Sequence, residues 1–248
     1  MSATTLETDQ MQVRGMNSWF GKKKTPDGTV IIRHDAAERQ IGFTDKSAVE
    51  FRQAREAAYE KLFGKALSVS HELLPQVPHI DVYTFKRTFK RSLGDQIVCP
   101  LVTGGMSDLQ MTMPRGAKDS PQRVELIFYC EEPRDEYIET LRWVAHFPHD
   151  SKSWLGHGHT MPNGNPPVPF WGSAELDTLL FMPPIVTKDQ TLPEELKLGG
   201  EEVHFLWLVP LTTAECNFKL EKGFEAILGL FQQHRHPHVF DPNRKSYV

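Results

Sequence analysis

The sequence predicts a mixed α and β (α+β) fold. Some segments alternate apolar and polar residues, or are continuously apolar, over strand-like lengths. Others repeat apolar residues every three or four positions. The two kinds interleave along the chain without internal repeats, low-complexity tracts or a GxGxxG fingerprint.

The elements follow in order. Thr25-Pro26-Asp27-Gly28 is turn chemistry, and Thr29–Ile32 after it reads as a short strand. From Ser47, a plausible N-cap, Ala48, Phe51, Ala54, Ala58 and Leu62 mark one face of a helix that stops at Gly64. Arg52, Arg55, Glu56 and Glu60 would form its charged outer face. His79–Phe85 alternates with period two and reads as a strand. Gln96–Thr103 is a second strand, which Pro100 would confine to an edge or a bulge. Val124–Cys130 is almost wholly apolar, so both its faces should be covered. A helix is expected over Asp135–Phe147, with acids in its first turn and Pro148 closing it.

Pro148–Gly172 holds five prolines and four glycines, far longer than an ordinary connection of about 4–6 residues, so it reads as functional or as a join between lobes. Val203–Val209 is the strongest strand pattern and should end at Pro210. Thr212 and Glu215 then form a capping box. Leu220, Phe224, Ile227, Leu228 and Phe231 continue a helical stripe to Gln233, with a break near Gly223.

Composition removes several functions. The chain has 248 residues, enough for one large domain or two small lobes. Its 28 basic and 32 acidic residues leave a net charge of −4, without the basic excess of a nucleic-acid binder. Cys99, Cys130 and Cys216 are far apart and include no CxxC pair, so they read as free thiols of a reducing compartment. Met1–Gln10 lacks the apolar stretch of a signal peptide, and the apolar runs around Leu179–Val186 and Phe205–Leu211 are too short for a bilayer. A cytoplasmic protein with no membrane partner is expected.

Catalytic patterns are weak. Gly105-Met106-Ser107-Asp108-Leu109 lacks the second glycine of a nucleophile elbow. Neither Gly21-Lys22 nor Gly64-Lys65 belongs to a P-loop. Histidine pairs are more suggestive: His157 and His159, with Asp150, could ligate a metal and support hydrolysis. His234, His236 and His238 look like an exposed end. Phe85-Lys86-Arg87-Thr88-Phe89-Lys90-Arg91 interleaves cations with aromatics, yet reads better as a solvated hairpin than as a nucleic-acid surface.

Four segments together resemble the suppressor-of-fused (SUFU) domain family, in its bacterial form. They are His79–Tyr83, Leu101–Asp108, Trp154–Thr160 with Asn163-Gly164-Asn165-Pro166-Pro167, and Phe205–Glu215. The resemblance covers about Phe51 to Phe231. It implies two mixed α/β lobes facing across a cleft, no catalytic residues and no cofactor. The division would be residues 1–46 as an N-terminal segment, 47–148 as the first lobe, 149–172 as the connection and 173–248 as the second lobe.

The resemblance further implies a protein-binding role. Its animal members clamp an extended peptide by strand addition, and bacterial members are associated with immunity to toxins. On the matching positions, Met106, Ser107, Asp108, Val203 and Phe205 would lie near the partner. Lys86 and Arg87, which depart from the family pattern, would tune partner choice. Gly156, His159 and Asn163 would hold the connecting loop. The alternative is a metal-dependent hydrolase on the His157/His159 loop.

Overall fold

The computed structural model of the chain describes residues 23–24, 30–31, 46–74, 76–90, 94–115, 117, 120–184, 196–198 and 200–248. A small hairpin pairs β1 (Lys23–Lys24) with β2 (Val30–Ile31). The turn expected at Thr25–Gly28 lies outside the described residues, as do the side chains of Ser47 and Ala48.

Helix α1 (Lys46–Phe63) starts one residue before the expected cap. It ends as expected, with Gly64 at φ 81° and its N–H donating to Glu60 O at 2.9 Å. Its buried stripe is turned from the expected one. Arg55, Ala58, Tyr59 and Phe63 are buried while Ala54 is exposed, so Arg55 leaves the outer face assigned to it.

One large sheet dominates. Its strands are β3 (Ser68–Ser70), β4 (Asp81–Thr84), β5 (Arg87–Phe89), β6 (Gln96–Gly104), β7 (Val124–Cys130), β8 (Thr160–Pro162), β9 (Leu176–Met182) and, last in the chain, a nine-residue strand, His204–Thr212. A separate hairpin, β10 (Lys197–Leu198) with β11 (Glu201–Glu202), makes that last strand β12. The order is β3-β4-β6-β7-β12-β9-β8, with β5 also on β6. All pairings are antiparallel except β7 with β12, which run parallel from Val124/His204 to Ile127/Trp207 and join the two halves of the chain.

Two prolines sit inside this sheet, against expectation. Pro100 lies in the interior of β6, not at an edge. A strand residue's N–H and C=O point to the same neighbour. Pro100 O accepts from Phe85 N–H at 2.9 Å, so its missing donor faces the interruption between β4 and β5. Pro210 likewise does not end β12. Its carbonyl accepts from Arg244 Nη2 at 2.9 Å, on the side where β7 has already parted from β12. Each proline removes a donor where no ladder bond was due.

Helices cover both faces, so every residue of β7 and β9 is buried. On one face, Tyr59 and Phe63 of α1 pack with Ile127, Tyr129, Phe205 and Trp207. They are joined by Ile227 and Phe231 of the last helix, which follows α3 (Thr213–Lys222) and is numbered α4 (Phe224–Gln233). The capping box forms, with Thr212 N donating to Glu215 Oε2 at 2.9 Å and Glu215 N to Thr212 Oγ1 at 3.2 Å. The break falls at Gly223, with φ 94°.

On the other face, Tyr137, Leu141 and Val144 of α2 (Asp135–Asp150) pack on Leu126, Phe128 and Leu206. Pro148 lies within the last turn of α2 instead of closing it, where few residues remain for the helix to carry past it. The proline- and glycine-rich stretch after it contains β8.

Cys99 and Cys130 are buried free thiols in cross-strand register, and burial pushes Cys130 up to about 12. No helix among the described residues is long and apolar enough to cross a membrane.

Phe205 illustrates the core. It is 1% exposed and its ring lies 6.0 Å from that of Tyr59. Phe205→Ala is expected to lower stability by about 3–5 kcal/mol, measured by urea unfolding. A loss below about 1 kcal/mol, the size of an ordinary surface change, would contradict this packing.

Candidate functional site

The site grows from the end of β6. Gly105 takes φ 118°, and a Cβ there would stand 1.9 Å from His79 O, so no other residue fits. The turn carries the chain into a 3-10 helix, Met106–Asp108. Glu125 of β7 lies beneath it with no solvent exposure. Its carboxylate accepts from Thr103 Oγ1 at 2.7 Å, Gly105 N at 2.9 Å, Ser107 N at 3.0 Å and Ser107 Oγ at 2.6 Å. A buried carboxylate needs such saturation, since each missing partner would cost its desolvation.

Asp108 connects the turn to α1 through an ion pair with Arg55, whose side chain is 2% exposed. Gly104 gives that guanidinium room: a Cβ there would stand 2.7 Å from Arg55 Nε. Tyr59 adds a second tie from α1 by donating to Thr103 O at 2.6 Å. On the outer side, Arg123 Nη1 donates to Ser107 O at 2.6 Å and Asp108 O at 3.0 Å. Arg123 Nε reaches Glu201 of β11 at 2.8 Å, and Gln110 Nε2 donates to the same carboxylate. His149 of α2 donates from Nε2 to Met106 O at 3.0 Å, and burial pushes it down to about 4, so it is neutral at pH 7.

Ser107 and Asp108 share the turn above Glu125, and Val203 and Phe205 lie at the start of the neighbouring β12, whereas the Met106 side chain packs in the core on the opposite face of the sheet. Phe205 stands in register with Glu125, and His204 with Val124. Met106, Ser107, Val203 and Phe205 have buried side chains, while Asp108 stands at the rim. Lys86 and Arg87 lie elsewhere. Arg87 opens β5, with Lys86 just before it, and pairs with Val98 of β6, about 20 Å along that strand from its end at Gly104 at about 3.3 Å per residue. Lys86 is exposed. Arg87 donates from Nη2 to Leu62 O at 3.1 Å and stacks 4.5 Å from the Phe63 ring, capping the end of α1. Arg91 lies outside the described residues.

The connecting loop is held by its backbone. Phe181 N donates to His159 O at 3.0 Å, and the His159 ring meets Trp154 edge-on at 4.4 Å. Gly156 lies against Trp154, where a Cβ would stand 2.6 Å from the indole. Asn163 Nδ2 donates to Val168 O at 2.9 Å. Burial holds His157 and His159 below the ordinary imidazole range, His159 at about 4. Among the described residues, no three His, Cys, Asp or Glu side chains are grouped to hold a metal ion.

Arg55, Glu125, Arg123 and Glu201 were not singled out in the sequence. Only Arg55 carried a signal: Phe51, Arg55, Tyr59 and Phe63 recur every four residues.

Asp108 provides a pH test. Burial, against the pull of Arg55 and with Glu125 adding to it, pushes its carboxyl up to about 6. The folded chain thus holds this proton more tightly than the unfolded one. Its stabilising contribution is complete below about pH 4, the unfolded carboxylate range, and is lost as pH rises through about 6. Asp108→Asn should remove that decline from urea-unfolding free energies between pH 4 and 7; an unchanged profile would contradict it.

Comparison with known proteins places this arrangement. The profile of the suppressor of fused protein (SUFU) family matches residues 76–245, more than half of the chain. No curated protein matches. Among solved structures, a protein described as a SUFU homologue from Neisseria gonorrhoeae is similar with a TM-score of 0.59 and 19% identity, over 81% of this chain and 98% of that one. A chain of the Sufu–Fu complex gives a TM-score of 0.53 at 13% identity, covering 79% of this chain and 92% of its own. Drosophila Suppressor of Fused gives 0.53 at 11%, covering 86% of this chain and 52% of its own, so the likeness spans about half of that protein. The chain, with its mixed α/β SUFU fold, belongs to the suppressor of fused family.

Proposed function

We propose that this chain is a non-catalytic protein-binding domain of the cytoplasm that captures and neutralises a cognate toxin. Membership of the family carries the reading, supported by a structural relative crystallised as a Sufu–Fu complex. The buried side chains of Met106, Ser107, Val203 and Phe205 fit a supporting role beneath a binding surface. Asp108, Arg123, Gln110 and Glu201 make the rim that a partner would meet. Lys86, beside the middle of β6 and away from the turn, would act on partner choice through charge at a distance.

The test is capture with a functional readout. The tagged chain, expressed in its own host, should retain one partner in stoichiometric amount at moderate salt, identified by mass spectrometry. That partner, expressed alone in a test strain, should arrest growth, and co-expression of this chain should restore it. A captured partner that never arrests growth would overturn the toxin assignment. An empty column from cells shown to contain the neighbouring gene products would overturn protein capture itself.

A further inference from the structure

Cys99 of β6 and Cys130 of β7 form the last register pair of the β6–β7 ladder. Residues directly opposite each other in antiparallel strands share a face and have Cα atoms about 4.5–5.5 Å apart. A disulfide needs about 4.4–6.8 Å between them, so the two strands already hold this pair within reach of a bond. Both side chains belong to the core packed against α2, and Cys130 Sγ donates to Cys99 O at 3.3 Å. Cys216 stands apart on α3, where Thr160 and Thr178 hydrogen-bond its thiol.

The two thiols of the pair differ in their access to solvent. Cys99 is 7% exposed and Cys130 is 2% exposed. Burial raises both, Cys130 to about 12, while Lys86 pulls Cys99 back down against Glu132. Cys99 is the thiol that an oxidant meets first. The pair also lies where the ladder ends. Ile97, two residues before Cys99, is 53% exposed, and the exposed Glu131 follows Cys130 directly. Opening this last rung is a local event, far less costly than global unfolding.

The two cysteines are 31 positions apart, and the chain between them carries the whole turn. Gly105, Ser107 and Asp108 lie on it, as do Arg123 and Glu125 on the return. A bond between the sulfurs would close this stretch into a covalent ring.

We propose that Cys99 and Cys130 are a redox-sensitive pair, joined by a hydroperoxide into a disulfide that closes the loop bearing the Gly105–Asp108 turn and released again by a dithiol. The Cys99 sulfur attacks the hydroperoxide: an S–O bond forms, the O–O bond breaks, and an alcohol leaves with the thiol proton. The Cys130 sulfur then attacks the Cys99 sulfenic acid. An S–S bond forms, the S–O bond breaks, and the hydroxyl leaves with the Cys130 proton as water. The two thiols lose two electrons and two protons, and the hydroperoxide ends as alcohol and water. A dithiol restores both thiols by exchange, so in a reducing compartment the pair rests as free thiols. The pair needs no partner protein to react.

The experiment exposes the full folded chain to hydrogen peroxide, removes the peroxide and blocks remaining thiols with N-ethylmaleimide in urea. Mass spectrometry of the unreduced digest should find Cys99 linked to Cys130 and Cys216 alkylated. The link should persist in Cys216→Ser, vanish in Cys99→Ser and in Cys130→Ser, and be undone by dithiothreitol. Peroxide added in urea should also give links to Cys216, because the cost of closing a loop grows only slowly with its length. The linked native chain should have an unfolding constant at least about tenfold smaller than the reduced chain, read from urea transitions. Sulfinic acid at Cys99 without a link, two thiols that remain alkylatable, or links to Cys216 from the folded chain would overturn the proposal. So would a linked chain no more stable than the reduced one.

Discussion

A carboxylate cut off from water has to be answered by the chain around it, and Glu125 is answered by three residues at once. Thr103 comes from β6, while Gly105 and Ser107 come from the turn beyond it. The same turn delivers Asp108 to Arg55 and so fastens α1 to the sheet. Through Arg123 and Glu201 it also holds the β10–β11 hairpin. Glu125 stands opposite Phe205 where β7 meets β12, so the anchor of the turn also marks the join between the two halves of the chain. Such buried polar sets gain from completeness more than from any one bond.

The same join sets the limits of the sheet. β7 and β12 pair over four positions and then part, because each continues with a different antiparallel neighbour. Pro210 is tolerated in β12 because its missing donor faces the fork that opens there. The residues after α4 supply what the fork lacks: a donor for Tyr129 O, a guanidinium for Pro210 O and Glu215, and an aromatic ring for the wall built by Phe128. The capping box at Thr212 and Glu215 therefore does two jobs, closing the start of α3 and seating Arg244.

Much of this was legible in the sequence, and what was hidden has a common cause. Periodicity placed the helices, the continuous apolarity of Val124–Cys130 announced a strand covered on both faces, and Thr212 with Glu215 announced a cap. All are local signals. Pro100 and Pro210 misled because a proline's effect depends on which side of the strand its absent N–H faces, and only the pairing shows that. Arg55 read as surface because charge outweighed its position between Phe51 and Tyr59. Its partner lies 53 residues away, beyond the reach of any local pattern. The docking of Arg244 is likewise written in residues distant along the chain, Pro210 and Glu215. The Gly105–Asp108 turn stood out through family resemblance, whereas the carboxylate that shapes it did not.

The claim that one buried carboxylate organises the turn and the join is open to amide hydrogen exchange. In the native chain, the Gly105 and Ser107 amides should exchange as slowly as the central β6 and β7 amides. In Glu125→Ala, the acceptor oxygen that both amides share is removed. The account predicts that protection at Gly105 and Ser107 collapses, with a parallel loss at the β7–β12 pairs beside residue 125. Unchanged protection at both amides in a folded Glu125→Ala chain would contradict it.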